Sequence, residues 1–300
     1  MTIKHLVIPG GGPTGIRALG TLQQLEKKGF WHIDNIETIY ATSAGALIAL
    51  LIALKFDWAS INDYIVLRQW HETYKVTASH IFSAYSKKGL FDKTMFDIFY
   101  KPFFDSKDLS MTMSMKEFYE YSKIELHFFA IEMNTFEIID VSYKTFPDIP
   151  VIQAVHMSCA IPLLVCPVCV DNHFYIDGGV ATNYPVKYCL DRQPAPSVDE
   201  IFGIKNVYEN NDTHILNNDS TILDYAMTFI SKLIRTVDTS NRHTGLIPNE
   251  LSCNTIELNF TYLKDTLFSG EKRQSLLDAG FADADVFLDL SKRSSQTTSL

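Results

Sequence analysis

The stretch LVIPGGGPTG, residues 6–15, decides the fold class of this chain. Its apolar start predicts a short buried strand, which three glycines end, and a segment of helical periodicity follows. That segment predicts a helix from Gly15 to Lys28, because apolar residues recur every three positions, at Ile16, Leu19, Leu22 and Leu25. A strand, a glycine loop and a helix in this order are typical of parallel α/β sheets.

The glycine loop also matches the fingerprint of a dinucleotide-binding fold, since Gly10, Gly12 and Gly15 satisfy G-x-G-x-x-G. In such a fold the second strand ends in an acidic residue that binds the ribose. Here the second strand ends in IYATSAGA (39–46), and Asp34 and Glu37 lie before that end. A flavin or nicotinamide protein is therefore the disfavoured alternative, and we expect no cofactor.

Ser43 stands where the acidic residue is missing, between the second strand and an apolar helix, Ala44–Leu54. Ala41 and Gly45 flank it with small side chains, as in the G-x-S-x-G nucleophile elbow of serine hydrolases. A helix-capping serine is the alternative interpretation of the same residues. Two glycine loops at the ends of neighbouring strands favour the elbow, because their N–H groups then face the serine and suit a tetrahedral oxyanion.

A base for such a serine is offered by Asp177, in YIDGGVATNYP (175–185). It ends a predicted short strand and precedes two glycines, so no side chain separates its carboxylate from a neighbouring loop. Taken alone, the same residues also fit an Asp-Gly hairpin turn.

Together these motifs resemble the patatin-like phospholipases. The family has a glycine-rich oxyanion loop, a G-x-S-x-G serine and a D-G-G aspartate, and GGGPTG, ATSAGA and DGG occur here in that order. The resemblance extends over roughly residues 4 to 190, through three linking segments, FAIEMNTFE (129–137), HMSCAIPLLVCPV (156–168) and VATNYPV (180–186). Likeness is weaker in the last third of the chain.

This resemblance implies a three-layer α/β/α fold with a mostly parallel central sheet, and a Ser–Asp dyad that cleaves acyl esters of lipids. By position, Ser43 is the nucleophile and Asp177 the general base. The oxyanion loop is Gly10, Gly11, Gly12 and Thr14. The family often has Arg or Lys in place of Thr14 and usually Gly in place of Ala41, and neither departure removes a catalytic atom.

Two other functions stay open at this point. A Ser–Asp–His triad of the α/β-hydrolase type would use His243, since the chain order Ser43, Asp177, His243 matches that fold. A lipid-binding member without catalysis would follow if the departures at Thr14 and Ala41 abolish turnover.

Composition limits the partners and the location. Net charge is −9, which disfavours nucleic acid, so the expected partner is a phospholipid or other acyl lipid, met at a membrane or micelle surface. Five cysteines do not suggest a disulfide scaffold. Cys166 and Cys169 have C-x-x-C spacing, but no second such pair and no histidine cluster lies near them in sequence, so packed thiols are favoured over a zinc or redox site. No calcium-loop pattern occurs, and we expect no metal. Without a signal peptide or a spanning segment, we expect a cytoplasmic protein, peripheral at membranes. Oligomeric state is left open.

Residues 1–290 are expected to form a single catalytic domain. Within it, the loose helical pattern of 57–123, rich in aromatic residues and Met, predicts helices packed on the core or a cap over an apolar entrance. The polar residues 291–300 predict a disordered tail.

Overall fold

The computed structural model describes residues 2–192, 198–208, 216–237, 245–256 and 258–297. Its helices are α1 (Thr14–Lys27), α2 (Ala44–Ala53), α3 (Trp58–Leu67), α4 (Trp70–Thr73), α5 (Ala78–Lys87), α6 (Thr94–Asp105), α7 (Met115–Ser122), α8 (Val151–Cys159), α9 (Val186–Arg192), α10 (Ile222–Val237), α11 (Phe260–Phe268) and α12 (Gly270–Thr297). Its strands are β1 (His5–Ile8), β2 (Thr38–Thr42), β3 (Gly89–Phe91), β4 (Glu125–Glu132), β5 (Glu137–Val141), β6 (Leu163–Val165), β7 (Val168–Val170), β8 (His173–Asp177), β9 (Ile201–Tyr208) and β10 (Asn249–Thr255).

The main sheet has the strand order β10-β9-β1-β2-β4-β8-β7, and β5 pairs with β4. From β10 to β4 every neighbouring pair is parallel, whereas β5, β8 and β7 join by antiparallel pairing. The predicted α/β class with a mostly parallel central sheet is therefore confirmed.

Side chains alternate between two helical layers, as the pleat of a strand requires. In β1, Leu6 and Ile8 pack into the larger core with α1, α2, α8 and α12. Val7, between them, packs on the opposite face against residues of α9 such as Val186 and Cys189. Helices thus cover both faces of the sheet, and α2, apolar all round, is buried as its composition predicts.

The ends of β2 and β8 meet on one edge of β4. Strand β2 runs parallel to β4 and its last residue pairs Thr42 with Phe129, whereas β8 runs antiparallel and its last residue pairs Asp177 with Ala130. Strand β5 pairs with residues on both sides of this junction, so it occupies the other edge of β4. The carboxyl ends of β2 and β8 therefore face each other across adjacent positions of β4.

Two parts of the chain differ from the sequence-based expectation. The segment 57–123 forms helices α3–α7, but it also contributes β3, which pairs in parallel with β6 as a small separate sheet. Helix α12 extends past the predicted end at Leu290 to Thr297. Residues 291–297 of the predicted disordered tail thus continue α12, and 298–300 lie outside the described residues.

Helices α1 and α12 approach closely because glycines lie at their contact. A Cβ on Gly280 would lie 2.1 Å from the carbonyl oxygen of Arg17 and 2.7 Å from the backbone nitrogen of Thr21. A Cβ on Gly20 would lie 2.3 Å from the carbonyl oxygen of Leu277. These distances are shorter than any van der Waals contact, so side chains larger than hydrogen cannot occupy either position without moving a helix.

We expect Gly280→Ala to lower the free energy of unfolding by roughly 2 kcal/mol, because the overpacked contact forces the two helices apart. In an uncrowded helix the same change stabilises by about 1 kcal/mol, so the sign of the effect is diagnostic. Urea denaturation measures it, with the exposed Ser275→Ala on α12 as the matched control. A Gly280→Ala protein at least as stable as the wild type would contradict this contact.

Candidate active site

Ser43 occupies a strained turn between β2 and α2. Its backbone has φ 54° and ψ −126°, outside the regions that ordinary side chains prefer. The turn is sharp enough that a Cβ on Gly45 would lie 2.4 Å from the carbonyl oxygen of Ile8. The methyl group of Ala41 is fully buried in the core and fits the elbow. The predicted elbow is therefore present in the backbone geometry.

Residues of α8 hold this turn in place. The N–H of Ser43 donates to Ser158 Oγ (3.0 Å), and that hydroxyl donates in turn to the carbonyl of Phe129 in β4 (2.7 Å). The thiol of Cys159 donates to the carbonyl of Ser43 (3.0 Å). Because these contacts fix the strained residue to its neighbours, they offset the conformational cost of the turn.

Asp177 ends β8 and begins a short 3₁₀ turn, Gly178–Val180, rather than a two-residue hairpin. The alternative of an Asp-Gly hairpin turn is thus excluded for this aspartate. A Cβ on Gly178 would lie 2.3 Å from the carbonyl oxygen of Phe129, so the first glycine of the motif is required by the close approach to β4.

The hydroxyl of Ser43 donates a 2.5 Å hydrogen bond from Oγ to Asp177 Oδ2. The other carboxylate oxygen, Oδ1, accepts from the N–H of Gly179 (2.7 Å). The side chain of Asp177 is almost completely buried, and burial raises its pKa to about 7, although both hydrogen bonds oppose the rise. The structure thus brings the two predicted residues into direct contact, and the carboxyl titrates close to neutrality.

The glycine loop borders the same cleft. Two of the candidate donors are engaged elsewhere: the N–H of Gly10 donates to the carbonyl of Asn183 (3.2 Å), and that of Thr14 to the carbonyl of Gly11 (3.1 Å). Gly11 and Gly12 line the cleft beside the serine. Within the described part of the chain, neither of their N–H groups has an acceptor.

Two asparagine side chains fix the orientation of this loop. The carbonyl of Gly10 accepts from Asn183 Nδ2 (3.3 Å) and from Asn206 Nδ2 (2.5 Å). Since the C=O of Gly10 and the N–H of Gly11 belong to one trans peptide and point in opposite directions, holding the carbonyl also orients the N–H.

Sequence reasoning missed Asn206, which lies in β9 and belongs to no motif. A signal was present, because Asn206 follows Phe202 and Ile204 at intervals of two, and both of those residues are buried in the main core. A polar residue at the third such position indicates a hydrogen-bonding role at the end of the strand.

Neither Thr14 nor Arg17 places a positive charge at the oxyanion loop. Thr14 is buried with its hydroxyl 3.4 Å from the hydroxyl of Tyr262. Arg17 forms a bidentate ion pair with Asp283 of α12 (2.6 and 2.7 Å), so it does not reach the loop. Among the described residues that line the cleft, the basic one is Arg235 of α10.

Two cavities meet at Ser43. The cleft itself is bounded by Gly11, Gly12, Ser43, Ile161, Asp177, Gly179, Asn183, Tyr208, Ser231, Ile234, Arg235 and Leu258. An almost wholly apolar cavity opens beside it, bounded by Gly12, Ser43, Ala44, Leu47, Tyr74, Phe91, Met95, Phe96, Cys159, Ile161, Leu164, Val165, Leu263 and Leu267. Four of these residues, Tyr74, Phe91, Met95 and Phe96, come from the segment 57–123.

No histidine among the described residues lines either cavity. His243 of the alternative triad lies outside the described residues, so the structure does not test that alternative. The described residues contain no group of His, Cys, Asp or Glu side chains arranged to hold a metal ion. Nor do they include a helix with the length and hydropathy that a bilayer crossing needs.

Comparison with known proteins identifies the same family as the three sequence motifs. A model of the patatin-like phospholipase family matches residues 6–190, more than half of the chain. Probable lipid hydrolase 463L of Invertebrate iridescent virus 6 is 27% identical over 189 residues, which cover 62% of this chain and 63% of that protein. The uncharacterized protein YqhO of Bacillus subtilis (strain 168) is 28% identical over 197 residues, covering 60% of this chain and 64% of that protein. The chain thus spans less than two thirds of the length of both relatives.

Among solved structures, VipD from Legionella pneumophila has a similar fold. The TM-score is 0.56 at 17% sequence identity, and the match covers 96% of this chain and 67% of that chain.

We expect Asp177→Asn to stabilise the protein above neutral pH. The pKa of the wild-type carboxyl rises from 3.8 to about 7 on folding. Between these values the unfolded state releases its proton first, so the free energy of unfolding falls as pH rises, and the loss is complete above the folded-state pKa. The neutral amide lacks this penalty. In thermal unfolding, the free energy of unfolding of the variant should therefore exceed that of the wild type by a few kcal/mol at about pH 8 and by little near pH 4.

The exposed Asp148→Asn is the matched control and should show no such pH-dependent gain. If the stability difference between Asp177→Asn and the wild type is the same at both pH values, the aspartate does not titrate near neutrality.

Proposed function

This chain belongs to the patatin-like phospholipase family, and from that premise we propose that it is a lipid acyl hydrolase that cleaves carboxylic ester bonds of glycerolipids. The observation that carries the proposal is the 2.5 Å hydrogen bond between Ser43 and Asp177 at the junction of a polar cleft and an apolar cavity. The name of the iridescent virus relative, a probable lipid hydrolase, supports the same substrate class.

In the proposed mechanism, the carboxylate of Asp177 accepts the proton of Ser43 Oγ as that oxygen attacks the carbonyl carbon of the ester. The tetrahedral intermediate then collapses, the bond to the alcohol oxygen breaks, and the alcohol leaves with the proton held by Asp177. A water molecule, deprotonated by the same carboxylate, attacks the carbonyl carbon of the acyl-serine. The bond between that carbon and Ser43 Oγ then breaks, Asp177 returns the proton to Oγ, and the fatty acid leaves. A pKa of about 7 suits both roles, because the group is then a base and an acid at neutral pH.

The oxyanion is held by the N–H groups of Gly11 and Gly12 in this mechanism. Both glycines line the cleft, and the other two members of the predicted loop, Gly10 and Thr14, support these donors. The carbonyl of Gly10 anchors the loop to Asn206, and the N–H of Thr14 closes the turn on Gly11. Donors fixed before the reaction stabilise the developing charge without reorganising.

We propose a reaction of the phospholipase A or lysophospholipase type. The two cavities suggest how a phospholipid would lie in the site. The apolar cavity would hold the acyl chain, because it begins at Ser43 and is lined almost wholly by carbon. Arg235 at the cleft would face the head-group phosphate. The segment 57–123 would serve as a cap on the acyl chain, since it contributes Tyr74, Phe91, Met95 and Phe96 to the cavity wall.

Variants of the dyad distinguish it from the triad. Mass spectrometry of the fatty acids and lysolipids released from a mixed phospholipid extract should show that Asp177→Asn is as inactive as Ser43→Ala. The double variant should be little worse than either, because the two residues act as one unit. His243→Ala should stay within a few-fold of the wild type. Circular dichroism first confirms that each variant is folded. A folded but inactive His243→Ala would replace the dyad by a triad.

The glycine loop gives a separate test of the oxyanion donors. Gly12 has φ +53°, and a Cβ there would lie 2.8 Å from Leu258 Cδ1, so Gly12→Ala displaces the loop. Turnover should fall about 10²–10³-fold, the usual cost of one lost oxyanion donor. Gly29→Ala is the matched control, because Gly29 has a positive φ of 75° but nothing within 4 Å. Equal turnover of the folded Gly12→Ala protein and this control would exclude Gly12 as a donor.

A further inference from the structure

Helix α10 has apolar residues on two opposite faces. Met227 and Ile230 are buried against the body of the protein. On the other side, four large apolar residues recur at intervals of three, four and four positions, which places them along one stripe of the helix. Their exposed fractions are 78% for Ile222, 58% for Tyr225, 60% for Phe229 and 38% for Leu233. We call these four residues the α10 stripe.

Single exposed apolar side chains are common on protein surfaces, but a continuous stripe of four is a feature of interaction sites. A helix with a buried face, an exposed apolar face and basic residues is also the pattern of helices that lie in a lipid interface. We therefore expect the stripe to contact a binding partner when the protein functions.

The position of α10 identifies that partner. Ser231, Ile234 and Arg235, from the same turns of the helix as Leu233, line the cleft that contains Ser43. Ile234 also packs beside Ile131 and Val180, next to the turn that carries the aspartate. A surface that contacts the stripe is thus adjacent to the entrance of the cleft.

Charge along α10 has the opposite sign to that of the whole chain. The net charge of the protein is −9, yet the last three turns of α10 carry Lys232 and Arg235 and no acidic residue. Basic residues beside an apolar helix face attract the anionic head groups of a bilayer, by about 1 kcal/mol each near the surface.

We propose that the α10 stripe is the surface by which this protein docks on a lipid bilayer containing anionic lipids, and that docking delivers lipid to the cleft. This inference rests on the proposed function for the nature of the partner. The stripe enters the head-group region, and Tyr225 and Phe229 are its two aromatic side chains.

Binding is measured without catalysis, in the Ser43→Ala background, by co-sedimentation with vesicles of equimolar phosphatidylcholine and phosphatidylglycerol. Adding Tyr225→Gln and Phe229→Gln together should weaken partitioning by at least roughly 10-fold, from the transfer free energy of the lost aromatic surface. Glutamine keeps the helix propensity high. The matched control, Val286→Gln with Leu290→Gln, removes two residues of α12 that are each 59% exposed but line neither cavity, and should bind vesicles like its parent.

Activity is measured in chains that retain Ser43. The pair Tyr225→Gln and Phe229→Gln should lower hydrolysis of vesicle lipid about as much as binding, and should leave turnover of a monomeric short-chain ester within two-fold of the wild type. The co-sedimentation measurement does not depend on ester hydrolysis. Failure of the docking proposal and failure of the proposed function are therefore distinguishable.

A direct readout is the fluorescence of Phe229→Trp, compared with that of the wild type in the same vesicles. The added emission should shift to shorter wavelength on vesicle addition, because the indole leaves water. Three results would overturn the proposal: vesicle binding unchanged by the double substitution, equal loss of monomeric-ester turnover, or an oligomer in sedimentation velocity that the double substitution dissolves while vesicle binding persists. The last result would assign the stripe to a second copy of the chain.

Discussion

The hydrogen bond between Ser43 and Asp177 depends on how two strands end. Strands β2 and β8 share one edge of β4 and run toward each other, so the residue after β2 and the last residue of β8 meet over Phe129 and Ala130. Only glycine fits at Gly178 and Gly45, because β4 and β1 lie directly behind them. The contact is therefore a consequence of strand register, and the glycines of both motifs permit that register.

This arrangement has a cost that the surrounding core offsets. The elbow holds Ser43 in a conformation that is unfavourable by roughly 1–3 kcal/mol, and the buried carboxyl of Asp177 destabilises the folded state wherever it is ionised. Ser158 and Cys159 anchor the elbow from α8, and the buried helix α2 anchors it from the other side. Local strain and a raised pKa in one place are typical of sites whose chemistry is selected over stability.

Local sequence was sufficient to predict the parts of the site that local geometry dictates. Ser43 and Asp177 could be predicted because a sharp turn and a close backbone approach require small neighbours at fixed spacing. The order of the motifs then indicated the patatin-like phospholipase family. Asn206 was not found, because its role follows from β9 lying beside β1, a long-range pairing that no local pattern encodes.

Contacts between distant parts of the chain also explain the other differences between the sequence-based expectation and the structure. The pairing of β3 with β6 joins segments more than seventy residues apart and depends on a strand of only three residues within a helical region. The resemblance implied four residues for the oxyanion loop. In the structure the N–H groups of Gly10 and Thr14 donate to backbone carbonyls, whereas those of Gly11 and Gly12 have no acceptor among the described residues. The sequence does not encode which backbone donors are engaged in this way. Arg235 lines the cleft from the weakly similar last third of the chain, where no motif drew attention to it.

In the proposed mechanism, Ser43, activated by Asp177, carries the acyl group between the two halves of the reaction. This acyl-serine can be trapped by rapid acid quenching during turnover of a short-chain aryl ester and located by intact and peptide mass spectrometry. We expect one acyl group per chain on the peptide that contains Ser43, and none in Ser43→Ala or Asp177→Asn. Ester turnover with the acyl group on another residue, or with undiminished hydrolysis by Ser43→Ala, would contradict it.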